Sequence, residues 1–227
     1  MNFCPFCGSQ LIENAKFCAQ CGKSVLDMSG ENNQETNGPD LMMIKHIDCL
    51  IAEGKKSEVW SMVTCENPYA YFALLNYIRH LLVKNEFAEE LNEAQNYADQ
   101  GNLMAQYLVA VLQHEIAFRK KDFDTLALQS KKICNLAARE VPPAMAYRGY
   151  FGLRKSNGVT NDSTDVSTDF LMRAVSLDNP EALYYIGCLY LKGEGEFSVD
   201  IAKAKRFLSR ASIYKHHAAL KMLESFQ

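Results

Sequence analysis

The chain has 227 residues, 48% of them hydrophobic and 22% charged, with a formal net charge of −3. That length suits one large domain or two small ones. Neither end carries a run of like charge, so bulk attraction to DNA or to an anionic membrane is not indicated. No apolar run reaches the ~18 residues of a membrane span.

The first 25 residues read MNFCPFCGSQLIENAKFCAQCGKSV. They hold two Cys-x-x-Cys pairs, Cys4 with Cys7 and Cys18 with Cys21, each followed by glycine. Cysteines stand where the apolar part of a signal peptide would begin, so the expectation is a cytoplasmic chain with reduced thiols. Each pair can place two thiolates on one face of a tetrahedral ion, and Gly8 and Gly22 permit the turns that aim backbone N–H groups at sulfur. Four soft thiolates suit Zn²⁺ best. CPFCG and CAQCG resemble the zinc-ribbon family over residues 3–25. A four-sulfur site has no open position for water or substrate, so the expectation is one structural zinc without a catalytic role. Phe3, Phe6, Phe17 and Val25 are almost all the core such a segment has, so the metal must supply most of its folding energy. Lys16 and Lys23 are its only cations, too few to grip phosphates alone.

Residues 27–40, DMSGENNQETNGPD, carry four acidic groups and no basic ones. This composition predicts a flexible tether between a ribbon at 1–26 and the rest, with Asp40 capping the next helix. A tethered ribbon adds to binding through effective concentration.

From residue 41 the apolar spacing is helical, and the chain repeats itself. FLMRA at 170–174 recurs as FLSRA at 207–211, and AMAYRG at 144–149 as ALYYIG at 182–187. AQYLVA at 105–110 and AYFALL at 70–75 extend the series upstream. Breaks at Asn67–Pro68, Gly101–Asn102, Pro142–Pro143 and Asn179–Pro180 each precede a first helix. The predicted helix pairs are about 68–99, 102–138, 142–175 and 179–212, with caps at 41–65 and 214–227. The last pair resembles the Sel-one-like repeat, a tetratricopeptide-related unit, through Ala182, Gly187, Tyr190, Gly193, Gly195, Asp200, Lys203, Ala204, Phe207 and Ala211. The earlier pairs match less of this pattern and equally suit generic tetratricopeptide-like units. The predicted fold class is all-α, a right-handed α-solenoid of about four to five repeats.

The resemblance implies a non-catalytic scaffold that binds a peptide or protein on its concave face. Helical spacing puts Phe72, Arg79, His80, Tyr107, His114, Tyr150, Arg154, Tyr184 and Lys192 on that face, as a tyrosine-rich stripe with polar groups at one end. The same rings can instead fill the space between neighbouring helices. His114–Glu115 opens like a zinc-protease motif, but residue 118 is Phe, so the motif fails. No phosphate-binding loop, nucleophile elbow or dinucleotide fingerprint is present, and the expectation is that the chain is not an enzyme. His216–His217 reads as a solvated helix start. Cys49, Cys65, Cys134 and Cys188 read as small core residues. The alternative function is nucleic-acid or ribosome association through the ribbon, less favoured because its charge is scarce. No membrane partner is expected.

Overall fold

Asp40 begins the first helix as predicted: its carboxylate accepts from the backbone N–H groups of Met42 and Met43 at 2.9 and 3.2 Å. The computed structural model describes residues 40–154 and 162–226. By backbone proximity the chain divides into Met1–Gly38 and Pro39–Gln227. The ribbon cysteines Cys4, Cys7, Cys18 and Cys21, and the tether up to residue 39, lie outside the described residues.

Among the described residues all regular structure is helical. A short pair comes first, α1 (Leu41–Ala52) and α2 (Lys56–Ser61). Four longer pairs follow in chain order: α3 (Ala70–Lys84) and α4 (Ala88–Asp99), α5 (Leu103–Lys120) with α6 (Phe123–Ala138), α7 (Pro142–Leu153) with α8 (Thr164–Ser176), and α9 (Pro180–Lys192) with α10 (Ile201–Ile213); in the first of these α4 packs on α5 rather than closely on α3. Helix α11 (His217–Glu224) ends the array. From α4 onward each helix packs on the next, and first helices also stack, α3 on α5 and α7 on α9. This is the layering of a solenoid, with the first helices inside.

The corners between pairs are built alike. Gly101, Glu140, Asp178 and Lys215 all have left-handed backbones, with φ of 92°, 63°, 55° and 58°. The residue after each donates its N–H back to a carbonyl five positions earlier: Asn102 to Tyr97, Val141 to Leu136, Asn179 to Ala174, His216 to Ala211. That 6→1 bond is the Schellman stop, and it satisfies a carbonyl the ending helix leaves open. Asn102, Asn179 and His216 then cap the next helix with their own side chains. Only Gly101 is glycine, so the other three corners hold a conformation L-residues disfavour by roughly 1–2 kcal/mol.

Side chains at these corners offset part of that cost. Arg173 donates to Glu140 at 2.5 Å and Arg210 to Asp178 at 2.6 Å. These are the arginines of FLMRA and FLSRA, so the repeated Arg is a stitch from one second helix to the corner before it. The repeated glycines act differently. A Cβ on Gly149 would lie 2.6 Å from the Leu171 backbone nitrogen and 2.7 Å from the Ser167 carbonyl oxygen. Helices α7 and α8 therefore touch backbone to backbone.

Candidate partner-binding face

The predicted stripe lies along the first helices, and its rings mostly point into the protein. Phe72 is 2% exposed and Tyr107 1%, so neither offers surface to a partner. What covers them is the C-terminal end of the same chain. Tyr71 accepts a hydrogen bond from the Asn179 amide at 2.6 Å. Tyr107 donates to a Glu181 carboxylate oxygen at 3.0 Å. The His216 ring stacks between Phe72 (5.4 Å between centroids) and Tyr184 (4.4 Å). Asp48 on α1 accepts from Tyr69 at 2.5 Å and pairs with Lys215. The two ends of the helical unit are thus joined by side chains across its inner layer.

At the centre stands Arg79 on α3. Its Nε donates to Glu115 on α5 at 2.7 Å, and its guanidinium lies 3.8 Å from Glu181 on α9. Glu181 is 3% exposed. Burial raises its pKa, and Arg79 and Tyr107 oppose that rise without cancelling it. Burial also works against the charge on Arg79, but Glu115 and Glu181 together hold it firmly protonated. One cation thus ties three helices.

The solvated helix start expected at His216–His217 holds as a helix start, and its solvation divides: His217 is exposed, whereas His216 is half-buried. The His216 Nδ1 accepts from Ala219 N–H at 3.3 Å, a cap that requires the unprotonated nitrogen. Burial, then the nearby Arg79 charge, push its pKa down to about 4. A folded-state pKa below the unfolded value means stability is full above pH 6.5 and is lost as pH falls towards 4. Each tenfold weakening of proton affinity corresponds to about 1.4 kcal/mol, so roughly 2–3 kcal/mol should go across that window. Melting curves of wild type and His216→Asn from pH 7 to 4 check this, since Asn keeps a cap acceptor but does not titrate. The variant should lose markedly less; parallel curves would rule the account out.

The other stripe residues divide between wall and rim. The Tyr147 hydroxyl lies 3.1 Å from His114 Nε2. Tyr150 stacks face to face on Tyr185 at 4.2 Å. Arg154 donates to the Tyr150 hydroxyl at 3.1 Å and pairs with Glu194 at 2.9 Å, with Lys192 3.9 Å from the same carboxylate. His80, Arg154 and Lys192 are exposed. The stripe is therefore not one groove: Phe72, Arg79, Tyr107 and Tyr184 gather around Glu181 and His216, while Arg154 and Lys192 form an exposed cluster over the buried Tyr150 ring. Glu181, Tyr71, Asn179 and His216 complete the interior. The capping role of Asn179 is legible from Asn-Pro; its bond to Tyr71, 108 positions away, has no sequence signal. The cysteine expectation needs correcting too, because Cys49 and Cys65 are exposed and only Cys188 is buried. Cys49 and Cys65 are not among the apolar positions buried here, which are Ile44, Ile47 and Leu50 in α1, Val59 in α2 and Val63 just after α2.

Taken together, stacked antiparallel pairs with repeated corners define an all-α helical-repeat protein. Ahead of the repeats, residues 3–25 match the family model of a zinc-ribbon domain, so the chain joins a zinc ribbon to helical repeats. No curated protein matches the chain. Among solved structures, the crystal structure of a Sel1 repeat protein from Oxalobacter formigenes is similar, at 16% identity and a TM-score of 0.44 over 79% of this chain and 73% of that one. A zinc ribbon implies zinc, and the donor set fits it: four cysteines in two Cys-x-x-Cys pairs are the soft ligands that ion takes. Among the described residues no helix is long and apolar enough to cross a membrane.

Proposed function

We propose that the chain is a non-catalytic cytoplasmic adaptor that engages a protein partner at the rim of its inner layer. The observation that carries this reading is the cluster of Tyr150, Arg154, Lys192 and Glu194. The Tyr150–Tyr185 stack seats the Arg154 guanidinium, which lies 5.5 Å from the Tyr150 ring, while that arginine stays exposed. An arginine held by aromatic rings loses little freedom on binding and suits an interface anchor. Buried Phe72 and Tyr107 serve as part of the inner layer's frame. The ribbon, holding one structural zinc through Cys4, Cys7, Cys18 and Cys21, is the second contact.

The test uses the full-length chain, confirmed by metal analysis to carry one zinc. Wild type and Arg154→Glu/Lys192→Glu are compared as baits in native lysate, with captured proteins identified by mass spectrometry. A partner enriched by wild type should be lost with the double variant, while circular dichroism stays unchanged. Equal capture by both baits would remove the rim from consideration.

A further inference from the structure

Helix α1 carries a set of metal-ligating side chains that the inner layer does not use. Ile44 and Ile47 bury one side of the helix. At about 100° per residue, Met42, His46 and Cys49 fall within about 60° of one another on the opposite side. All three are exposed. Glu53, just past the helix, continues the line: Lys55 and, more weakly, His46 hold its carboxyl below the ordinary carboxylate range.

Two features set this stripe apart from an ordinary solvated face. Methionine and cysteine are side chains that folding normally hides. Yet Met42 is 81% exposed, more than any other large hydrophobic residue described, and Cys49 is exposed too. The second feature is the imidazole between the two sulfurs. His46 follows Met42 by four positions and precedes Cys49 by three, the spacings at which helix side chains are neighbours. Helix side chains lean towards the N-terminus, so the Cys49 sulfur leans towards His46. Met42 lies in the first turn, where no preceding turn blocks the rotamer that leans the other way. Its unbranched, flexible chain lets the thioether reach the ring.

The donors select the ion. Among the described residues no three of His, Cys, Asp and Glu gather as a harder ion would require. The Glu53 carboxylate is already paired with Lys55 at 2.7 Å. What remains is a thiolate, an imidazole and a thioether, and thiolate with thioether suits copper(I). Charge agrees with this choice. Copper(I) on one thiolate is neutral, whereas a divalent ion would leave a positive charge near Lys45, the exposed cation beside the stripe. The geometry points to a surface copper(I) site on α1, with Cys49 as thiolate, His46 as imidazole and Met42 as thioether ligand. Binding releases the Cys49 thiol proton to solvent and transfers no electron.

The experiment is an anaerobic titration of the full, zinc-loaded chain with copper(I), with bathocuproine disulfonate as the competing chelator and ε-¹³C-methionine as the spectroscopic label. Wild type should bind one more copper(I) than Cys49→Ser, and should keep its zinc throughout. The Met42 methyl signal, assigned by its loss in Met42→Leu, should shift with that equivalent and stay still in Cys49→Ser. His46→Gln removes a direct ligand and should weaken binding by at least the ~10–100-fold that loss of an outer partner costs. Cys65→Ser removes the other exposed cysteine and should behave as wild type. Copper uptake unaltered by Cys49→Ser, uptake only in exchange for zinc, or a Met42 methyl that does not move would each overturn the proposal.

Discussion

Chains carrying Arg79→Met should lose about 3–5 kcal/mol of unfolding free energy at neutral pH, and adding Glu181→Gln should return a large part of it. Methionine keeps the apolar stem of the arginine and removes its charge. Glu115 is partly exposed and can turn to water, but Glu181 is 3% exposed and cannot. Its carboxylate would keep the Tyr107 hydroxyl and lose its cation. The sign of the pH dependence follows from the direction of the shift. Burial already raises the folded-state pKa of Glu181 above 4.5, and losing Arg79 raises it further. A raised carboxyl contributes its full stability below the unfolded value and loses it as pH rises. The deficit of Arg79→Met should thus be largest near pH 7.5 and shrink towards pH 5. Urea titrations of the two single variants and the double variant at both pH values test this. An equal deficit with and without Glu181→Gln would mean that the loss came from packing.

Gly149→Ala is the second large effect, expected to cost about 3 kcal/mol or more. The new methyl would meet backbone atoms of α8, the Leu171 nitrogen at 2.6 Å and the Ser167 oxygen at 2.7 Å, and no rotamer relieves a backbone clash. Gly187 occupies the matching place in the next pair, but there the nearest atoms belong to the Leu208 side chain at 2.9 Å. That side chain is fully buried and must shift to admit the methyl, but it yields more readily than a backbone does, and alanine adds about 1 kcal/mol of helix propensity over glycine. Gly187→Ala should therefore be nearly neutral, or cost about 1 kcal/mol. Denaturant midpoints of the two variants decide the matter, and similar losses at both sites would contradict the backbone-contact account.

The helices are largely legible from the chain. Pro142 and Pro180 start α7 and α9, Asp40, Asn102 and Asp200 cap their helices, and FLMRA and FLSRA lie in matching turns of α8 and α10. These signals are local, acting within about one helical turn. The inner stripe is legible in part: spacing places Phe72, Tyr107 and Tyr184 on one side of their helices, which the structure keeps. Spacing carries no information about what stands opposite, and here residues 179–216 of the chain itself stand there. The corners escape for another reason. Glu140, Asp178 and Lys215 adopt a backbone usually marked by glycine, so composition gives no sign of it.

The contact between Asp48 and Lys215 reaches beyond local packing. An open array of repeats behaves as a row of neighbours, so its ends fray first and units can be added or removed with little effect elsewhere. Here Asp48, Tyr69 and Phe72 near one end hold Tyr214, Lys215 and His216 near the other. The terminal pairs brace each other through these contacts, so melting is expected to be collective, with the two ends lost together. The number of repeats is also fixed by geometry: a duplicated or deleted pair would carry residues 214–216 out of reach of α1 and α3. Gain or loss of repeats, the usual route of change in such proteins, is closed to this helical unit unless the clasp is given up first.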